Sequence, residues 1–456
     1  MAEANHPPMT EKDIKCGGEC QIYQLPFIAV TKILSFLPWE DKLSVVRALP
    51  VWNDNLHTVE AWHMVQYDRE LDENIYFIKD KRWRFVLCIK KYGKWFRWVK
   101  LVFGCKIGHI GLKILHAISE FCPKILTFYV AQEMRDQTDM GYFWKKNVIL
   151  EVSRIITSLA DLRHCYIVQP SVDWEDNVDN NIIKCFIKNE LTTKVTHLEL
   201  TSLSLFNHEG LLHVLTNFTK LRCLVVNREK VNNSILLSLV DAGLQELTLV
   251  QEEEVSLEQQ QDLRDDFWTK VMDTCPLFHL DLVFRCVMVL KDLFTPKMPL
   301  RVLVLDDLVN IVTKGVLDHI ITCYKNSLIR FHYSNFLLEN LEEGDRRLPR
   351  ALVNMAETCT RLKFLQYGFP LSSTTVLLIA QSRKLQKFVV PSVEITYEFD
   401  WPEEVFTQDE ITRLKQQGRS QRSLENAVST LLGYSWTLYD AEESTVEEHL
   451  SQRILL

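Results

Sequence analysis

Eleven short stretches of the chain repeat one pattern, apolar-x-x-apolar-x-apolar, and this pattern restricts the possible folds more than any other feature. The clear copies are LRCLVV, LQELTL, LFHLDL, LRVLVL, LIRFHY, LKFLQY and LQKFVV, which begin at Leu221, Leu244, Leu277, Leu300, Leu328, Leu362 and Leu385. Weaker copies begin at Phe96, Ile125, Leu162 and Val195. Successive starts lie 23 to 37 residues apart, about 29 on average. Such a period indicates stacked units, none of which can bury its apolar face alone.

Several copies are followed by helix-like runs such as EGLLHVLTNF and TKGVLDHIITCY, so each unit is predicted to hold one strand and one helix. In period and pattern the units resemble leucine-rich repeats. That resemblance implies an α/β fold, a curved solenoid with a parallel sheet on its concave face and helices on its convex face. The alternative is a globular fold built from unrelated αβ units.

Successive side chains of a strand alternate between its two faces, so the residues between the apolar positions are predicted to line the concave face. The candidate substrate-binding residues on it are Trp98, Lys100, Tyr129, His164, Tyr166, Glu199, Glu246, Asp281, Asp306 and His332. Further outward positions are His197, Cys223, Val225, Thr248, His279, Val302, Arg330, Phe364, Gln366 and Lys387. The carboxylates favour a basic partner segment, and the aromatic residues at the N-terminal end are typical interface anchors. The alternative is an ordinary solvated surface.

The longest units contain insertions that are predicted to be loops on one rim. They are AQEMRDQTDMGYFWKKN, SVDWEDNVDNN, QEEEVSLEQQQDLRDD and ENLEEGDRRLPR. Each insertion is either a recognition loop or a solvated connection.

Composition is typical of a large folded protein of the cell interior. The 456 residues are 47% hydrophobic, and 52 basic against 60 acidic residues give a net charge of -8, which argues against general nucleic-acid binding. No apolar segment has the length of a membrane span, and the first residues lack the profile of a signal peptide. We expect a cytoplasmic or nuclear location, where the twelve cysteines are reduced.

Sequence signatures of chemistry are absent. The CGGEC stretch at Cys16 has no second cysteine pair to complete a zinc or RING site, and neither a P-loop nor a dinucleotide-binding glycine pattern occurs. We therefore predict no metal, no cofactor and no enzymatic activity of the chain itself.

The segment KDKRWRFVLCIKKYGKWFRWVKLVFGCK, residues 79–106, combines basic and aromatic residues. Such a mixture can bind nucleic acid or an acidic peptide through charge and stacking. Its alternation also fits the first half-exposed strands of the repeat array, which is the interpretation we favour.

The stretch LPFIAVTKILSFLPWEDKLSVVRALPVW, residues 25–52, holds apolar residues at helical spacing on both sides of a Pro-Trp-Glu-Asp break. It predicts two short helices with too little mass to form a core alone, and hence a surface for a partner.

This stretch resembles the F-box, a motif of about three short helices. The residues at motif positions are Leu25 and Pro26, Ile33 and Leu34, Leu37 and Pro38, Asp41, Leu43, Val46, Trp52 and Trp62. The sequence departs from the motif at Ile28, at Lys42 and in ALPVW, which replaces the usual Cys-x-x-Trp approach. An F-box followed by repeats is similar to the F-box and leucine-rich-repeat proteins, or to an F-box-only relative with degenerate repeats, over essentially the whole chain. The implied domains are a flexible N-terminus at 1–20, the F-box at 21–67, the solenoid at 68–392, and a C-terminal cap with an acidic tail at 393–456.

In that family the F-box docks on the adaptor Skp1, which joins it to a cullin and a RING subunit, while the repeats hold a protein substrate for ubiquitination. By this resemblance the expected contacts with Skp1 are Leu25, Pro26, Val30, Ile33, Leu34, Leu37, Leu43 and Val46. Two alternatives stay open. In the first alternative, the chain is a Skp1-binding scaffold outside ubiquitination. In the second, it is a leucine-rich-repeat binder that uses the N-terminal helices only as a cap.

Overall fold

The structure, a computed structural model, describes residues 22, 25–68, 75–103, 107–132, 146–168, 181–201, 214–228, 231–251, 264–285, 293–306, 312–334 and 348–439. Packing divides the chain into two compact units, Met1–Leu162 and Arg163–Leu456. The domain boundaries given by the resemblance remain predictions. The four predicted rim insertions lie largely, and the acidic tail almost entirely, outside the described residues.

The first unit contains two short helices, a 3-10 segment and a three-stranded parallel sheet with further helices. Its elements are α1 Phe27–Phe36, α2 Trp39–Ala48, the 3-10 helix Pro50–His57, β1 Met64–Tyr67, α3 Ile75–Tyr92, β2 Trp98–Phe103, α4 His109–Phe121, β3 Thr127–Gln132 and α5 Lys146–Ser158. Strand β2 pairs with β1 on one side and with β3 on the other.

Prolines set the boundaries of the first two helices. Pro26 and Pro38 precede α1 and α2, and Leu37 between the helices is extended, with φ -84° and ψ 147°. A residue before proline is disfavoured in the helical region, so α1 ends where Leu37-Pro38 begins. The Asn55 amide then donates to the Phe27 carbonyl at 2.8 Å and to Thr31 Oγ1 at 2.9 Å, which ties α1 to the 3-10 segment.

The interpretation of residues 79–92 as strands is wrong, because this stretch belongs to helix α3. Phe85, Cys88, Ile89 and Tyr92 are buried, and their spacing of three or four residues is helical. The alternation of basic and aromatic residues imitates a strand only locally. Strand structure begins at Trp98, within the predicted copy FRWVKL.

The second unit is a longer series of parallel strands and helices. Its elements are β4 His164–Val168, α6 Asn181–Lys188, β5 His197–Thr201, β6 Cys223–Asn227, α7 Asn233–Asp241, β7 Glu246–Gln251, α8 Asp265–Thr274, β8 His279–Arg285, β9 Leu300–Asp306, α9 Lys314–Tyr324, β10 Arg330–Ser334, α10 Leu348–Thr358, β11 Phe364–Tyr367, β12 Leu371–Ser372, α11 Ser373–Ser382, β13 Lys387–Val389, β14 Ile395–Thr396, α12 Gln408–Gln417 and α13 Gln421–Leu432. Strands β4 to β11 and then β13 are neighbours in chain order, and every pair is parallel.

The predicted alternation of parallel strands and helices is confirmed. Each of the eleven predicted copies carries a strand, and each strand of the second unit pairs with that of the next copy. This arrangement resembles the strand–helix unit of leucine-rich repeats. Strand β1 was not predicted, because its four residues follow no copy of the pattern.

Apolar side chains at matched register positions form the core of the second unit. Leu198, Leu224, Leu247 and Leu280 lie side by side on β5 to β8, and each is at most 1% exposed. Burying a leucine side chain stabilises a fold by about 1.5–3 kcal/mol. At the far end of the sheet, the Trp436 ring stacks on Phe388 of β13, and its Nε1 donates to the Phe388 carbonyl at 2.7 Å.

Candidate partner-binding surfaces

Helix α1 has apolar residues on both of its faces, but only one face is buried within the chain. Val30, Thr31 and Leu34 are buried. On the other side Ile28 is 82% and Phe36 74% exposed, and Lys32 Nζ lies 4.7 Å from the Phe36 ring centroid. A helix that is apolar all round is normally buried all round. The exposed side of α1 is therefore an apolar surface that the described part of the chain does not cover.

The predicted Skp1 contacts separate into three groups. Leu25, Pro26 and Ile33 are exposed, and Leu37, Leu43 and Val46 are half-buried. Val30 and Leu34 are corrected, because they are 2% and 0% exposed and lie on the side of α1 that the 3-10 segment covers. They belong to the chain's own core.

The sequence analysis missed four further exposed apolar residues of this region. Phe27 and Ile28 lie in the first turn of α1, Phe36 is its last residue, and Val51 lies in the 3-10 segment. The F-box pattern does not mark them. Their only signal is the absence of a polar face in FIAVTKILSF, which holds a single charged residue, Lys32. The candidate surface, called here the α1 face, consists of Leu25, Phe27, Ile28, Ile33 and Phe36.

Lys42, which departs from the F-box pattern, is buried in α2. Its Nζ lies 5.0 Å from the Trp62 ring centroid, and the side chain is 1% exposed. Burial, only partly offset by the nearby Cys88, lowers the pKa of Lys42 to about 8 from its usual 10.5. The folded protein therefore holds this proton less tightly than the unfolded chain does.

Replacing Lys42 with Met should raise the free energy of unfolding by about 2 kcal/mol at pH 7. Below pH 8 the full cost of burying the charge is present in the wild type, and it disappears as the pH rises toward 10.5. The gain should accordingly shrink in urea unfolding at pH 10. Lys124→Met at an exposed site is the control and should change stability little at either pH. A gain that is equal at both pH values would contradict the explanation.

The outward residues of the second unit form rows across the sheet. Register places His164, His197, Cys223, Glu246 and His279 in one row. A second row runs Tyr166, Glu199, Val225, Thr248, Asp281, Val302, Arg330, Phe364 and Lys387. We call this side of the sheet the row face. Neighbouring strands are about 4.8 Å apart, so adjacent members of a row are close enough to contact each other.

Several predicted substrate contacts on the row face are buried. Tyr166, Glu199, Asp281, Asp306 and His332 are at most 9% exposed, which corrects the prediction that they are open to a substrate on the concave face. One reason is lateral packing: Val225, Val250, Val283 and Val304 form a buried cluster on the same side of β6 to β9, with Val302 against it. Only His164 and Glu246 of the predicted set in this unit are half-buried.

In the first unit the predicted residues behave similarly. Tyr129 is 3% exposed, so it is corrected as an open aromatic anchor, whereas Trp98 and Lys100 are half-buried. Lys100 and Tyr129 are register partners on β2 and β3, and Lys100 Nζ lies 5.3 Å from the Tyr129 ring centroid. The lysine therefore covers the tyrosine.

The acidic strip predicted on the row face is neutralised from within the chain. Arg301 Nε lies 3.3 Å from Asp281 Oδ1, Arg301 Nη2 lies 3.3 Å from Asp281 Oδ2, and the same Nη2 lies 3.2 Å from Glu246 Oε2. A register shift between Leu280 and Asp281 leaves Arg301 as an extra residue on β9, beside these acids. Alternation alone would not place it there, so the sequence did not predict the ion pairs.

Asp306 is also bonded internally. Ser334 Oγ donates to Asp306 Oδ1 at 2.7 Å, and His332 Nε2 lies 2.8 Å from Ser334 Oγ and 3.8 Å from Asp306 Oδ1. Burial by itself would raise the pKa of the Asp306 carboxyl, but the hydrogen bonds and charge of His332 and the bond from Ser334 outweigh it and lower the pKa. This trio is a buried polar network, with the serine between the other two residues.

Two histidines meet at the start of the row face. The rings of His164 and His197 are 4.4 Å apart, edge to face, and Thr196 Oγ1 lies 2.9 Å from His197 Nδ1. Burial, with the nearby His197 and Arg163 charges, lowers the pKa of His164 to about 4. Burial also lowers the pKa of His197. Both rings are therefore neutral at pH 7.

Within the described ranges, no group of three histidine, cysteine or acidic side chains is placed to hold a metal ion. Burial raises the pKa of the Cys88, Cys122 and Cys165 thiols, which keeps them protonated. None of the helices in the described part of the chain has both the length and the apolar character needed to cross a bilayer.

No protein-family model matches the chain, and no curated protein matches it. Among solved structures, it is similar to a chain described as "Crystal structure of TLR13-ssRNA13 complex", at 11% sequence identity and a TM-score of 0.31. The match covers 75% of this chain and 43% of that chain, so this chain spans less than half the length of the matched one. The repeat architecture described above therefore rests on the strand order and register of this chain itself.

Proposed function

We propose that the chain is the substrate-recognition subunit of an SCF-type ubiquitin ligase, in which the α1 face docks on Skp1 and the repeats hold a protein substrate. The observation that carries this proposal is the uncovered apolar face of α1, directly after Leu25-Pro26, in a chain that continues as parallel strand–helix repeats. The F-box assignment, the curved solenoid and the cytoplasmic or nuclear location belong to the same proposal.

The proposed mechanism needs no catalytic residue of this chain. Skp1 would link it to a cullin and a RING subunit, which bring the ubiquitin-conjugating enzyme. Holding a substrate lysine near the charged enzyme raises their effective concentration, and proximity supplies the rate enhancement.

One observation favours a second candidate, a repeat protein that binds partners without Skp1. Trp39 of α2 packs against Phe85 of α3 with ring centroids 5.0 Å apart, and Lys81 pairs with Glu40 at 2.8 Å. These contacts join the N-terminal helices to the rest of the first unit, as a cap would be joined.

A double charge substitution on the α1 face separates the two candidates. Ile33→Asp together with Phe36→Asp should weaken binding to purified Skp1 about 100-fold, which is about 2.7 kcal/mol, because each carboxylate would be desolvated at the interface. Both residues are exposed in the free chain, so the melting temperature should change little. Affinity is measured by calorimetric titration and folding by circular dichroism.

The matched control is Val393→Asp, since Val393 is 73% exposed, almost the same as Phe36, but lies in the second unit. It should leave Skp1 affinity unchanged. Undiminished binding of the double variant would rule out the α1 face as the adaptor site, and no binding by the wild type would favour the second candidate. If Skp1 binds but the complex does not recruit cullin, the chain is a scaffold outside ubiquitination.

A further inference from the structure

Charge on the row face changes sign along the sheet. Strands β5 to β8 contribute Glu199, Glu246 and Asp281, whereas the outward positions of β10 and β13 contribute Arg330 and Lys387. The acids in the middle are already paired with Arg301 or buried. Arg330 and Lys387 give the other end of this described row a positive charge.

A shallow, open pocket with a cavity volume of about 20 Å³ lies at this basic end. Register explains its composition, because two rows cross four strands here. One row supplies Arg330, Phe364 and Lys387, and the other supplies Val304, His332, Gln366 and Val389. The described lining also includes Phe331 and Leu365. It therefore combines two cations, two phenylalanine rings, aliphatic side chains and the polar His332 and Gln366, and it includes no carboxylate.

Contacts within the pocket set the orientation of its cations. The Arg330 guanidinium lies 4.7 Å from the centroid of the Phe364 ring, on the neighbouring strand. Lys387 is the register partner of Phe364 on the other side, so the ring lies between the two cationic residues. A planar guanidinium held against a ring offers parallel N–H donors, which match the two oxygens of a carboxylate.

The surroundings favour an anion at this position. Burial, together with the charge of Arg301, lowers the pKa of Arg330, so a neighbouring negative charge would be favourable there. The Asp306 carboxylate, on a neighbouring strand, accepts a hydrogen bond from Ser334, which also lies beside His332. The aliphatic residues Val304 and Val389 provide apolar contact beside the cations.

We propose that this pocket binds an acidic peptide segment of a protein partner, with an aspartate or glutamate carboxylate at Arg330 and Lys387 and an adjacent apolar side chain against Phe364 and the valines. The inference deepens the proposed function by naming the substrate class, and it rests on that function only for the fate of the bound peptide. It differs from the prediction made from the sequence, which was a basic partner segment.

The test uses a random dodecapeptide phage library panned on the full chain. We expect enrichment of peptides that pair an acidic with an apolar residue, and the best sequence is then synthesised with a fluorophore. Its copy with each Asp or Glu changed to the amide should bind about 10-fold more weakly or worse by fluorescence anisotropy, and affinity should fall with added salt. A copy with phosphoserine in place of each Asp or Glu tests whether the pocket binds a phosphate group rather than a carboxylate.

Protein variants locate the site. Lys387→Glu and the milder Lys387→Met should each weaken binding of the acidic peptide. Arg330→Lys should also weaken it, because the planar guanidinium is lost. Lys384→Glu, an exposed lysine outside the lining, is the matched control and should bind like the wild type. Melting curves establish which variants are folded.

The inference is overturned if no acidic peptide is enriched, if the amide copy binds as well, if only the phosphorylated copy binds, or if all folded pocket variants bind normally. Skp1 titrations on the same preparations keep this result separate from the proposed function. If the wild type binds Skp1 but no acidic peptide, the pocket alone is rejected. If it binds the peptide but not Skp1, the adaptor role alone is rejected.

Discussion

Arg301→Met is expected to lower the free energy of unfolding by about 3–4 kcal/mol, because it leaves a buried carboxylate without its cation. The Asp281 side chain is 1% exposed, and Arg301 contacts both of its oxygens as well as one oxygen of Glu246. The Glu246 side chain is 43% exposed, so the ion pair between Arg301 and Glu246 should contribute little to the free energy of unfolding. The measurement is urea unfolding followed by circular dichroism.

The repeat itself offers a matched control for this prediction. Arg222 occupies the same place in LRCLVV that Arg301 occupies in LRVLVL, but its side chain is exposed. Arg222→Met should therefore change stability by less than about 0.5 kcal/mol. The double variant Arg301→Met with Asp281→Leu should recover much of the loss, since it removes the uncompensated charge. A loss below about 1 kcal/mol for Arg301→Met alone would mean that the pair behaves as a surface salt bridge.

Periodicity was sufficient to predict eleven of the fourteen described strands, because the repeats bury equivalent apolar positions. The exception is the copy LFHLDL, whose Leu277 is 75% exposed while Phe278 is buried. Leu224, Leu247 and Leu280 are equivalent in sequence and adjacent in the sheet, so one local pattern carries the information for long-range pairing. Helix α3 shows where this reasoning fails. Over residues 79–92, alternation and helical spacing coexist, and only the buried set Phe85, Cys88, Ile89 and Tyr92 decides between them.

The candidate sites were less predictable because they depend on what lies beside each residue. The strand pattern gives the side of the sheet for Glu246 and Asp281, but the register shift that brings Arg301 to them has no local signature. Similarly, the apolar residues of α1 indicate two possible buried faces. The bonds from Asn55 to Phe27 and Thr31 show which face the chain covers. Asn55 lies 28 residues after Phe27 and 24 after Thr31, so no local pattern reveals these contacts.

The pocket at Arg330 illustrates a different limit. Its three main residues, Arg330, Phe364 and Lys387, are more than twenty residues apart in sequence, and each belongs to a different repeat. The sequence placed all three on the outward face, but the charge of the site emerges only when the strands are laid side by side. Summing the net charge of the chain hides this local excess of cations.

Trp62→Ala is expected to lower the free energy of unfolding by about 4 kcal/mol, because the indole is fully buried at the junction of the N-terminal segment and α3. Its Nε1 donates to the Leu56 carbonyl at 2.7 Å, and its ring lies 4.8 Å from Tyr92 and 5.5 Å from Phe96. The substitution creates a cavity and also leaves the carbonyl unsatisfied.

The control for this prediction is Trp83→Ala on helix α3, since Trp83 is 43% exposed and its ring contacts Lys113. Its cost should be below about 1 kcal/mol. Trp62→Ala should in addition weaken the proposed binding to Skp1, because the positions of α1 and the 3-10 segment depend on this anchor, whereas Trp83→Ala should not. If Trp62→Ala destabilises the protein but leaves Skp1 affinity unchanged, the α1 face is formed independently of the core of the first unit. Equal stability losses for the two variants would show instead that Trp62 is not the anchor of this segment.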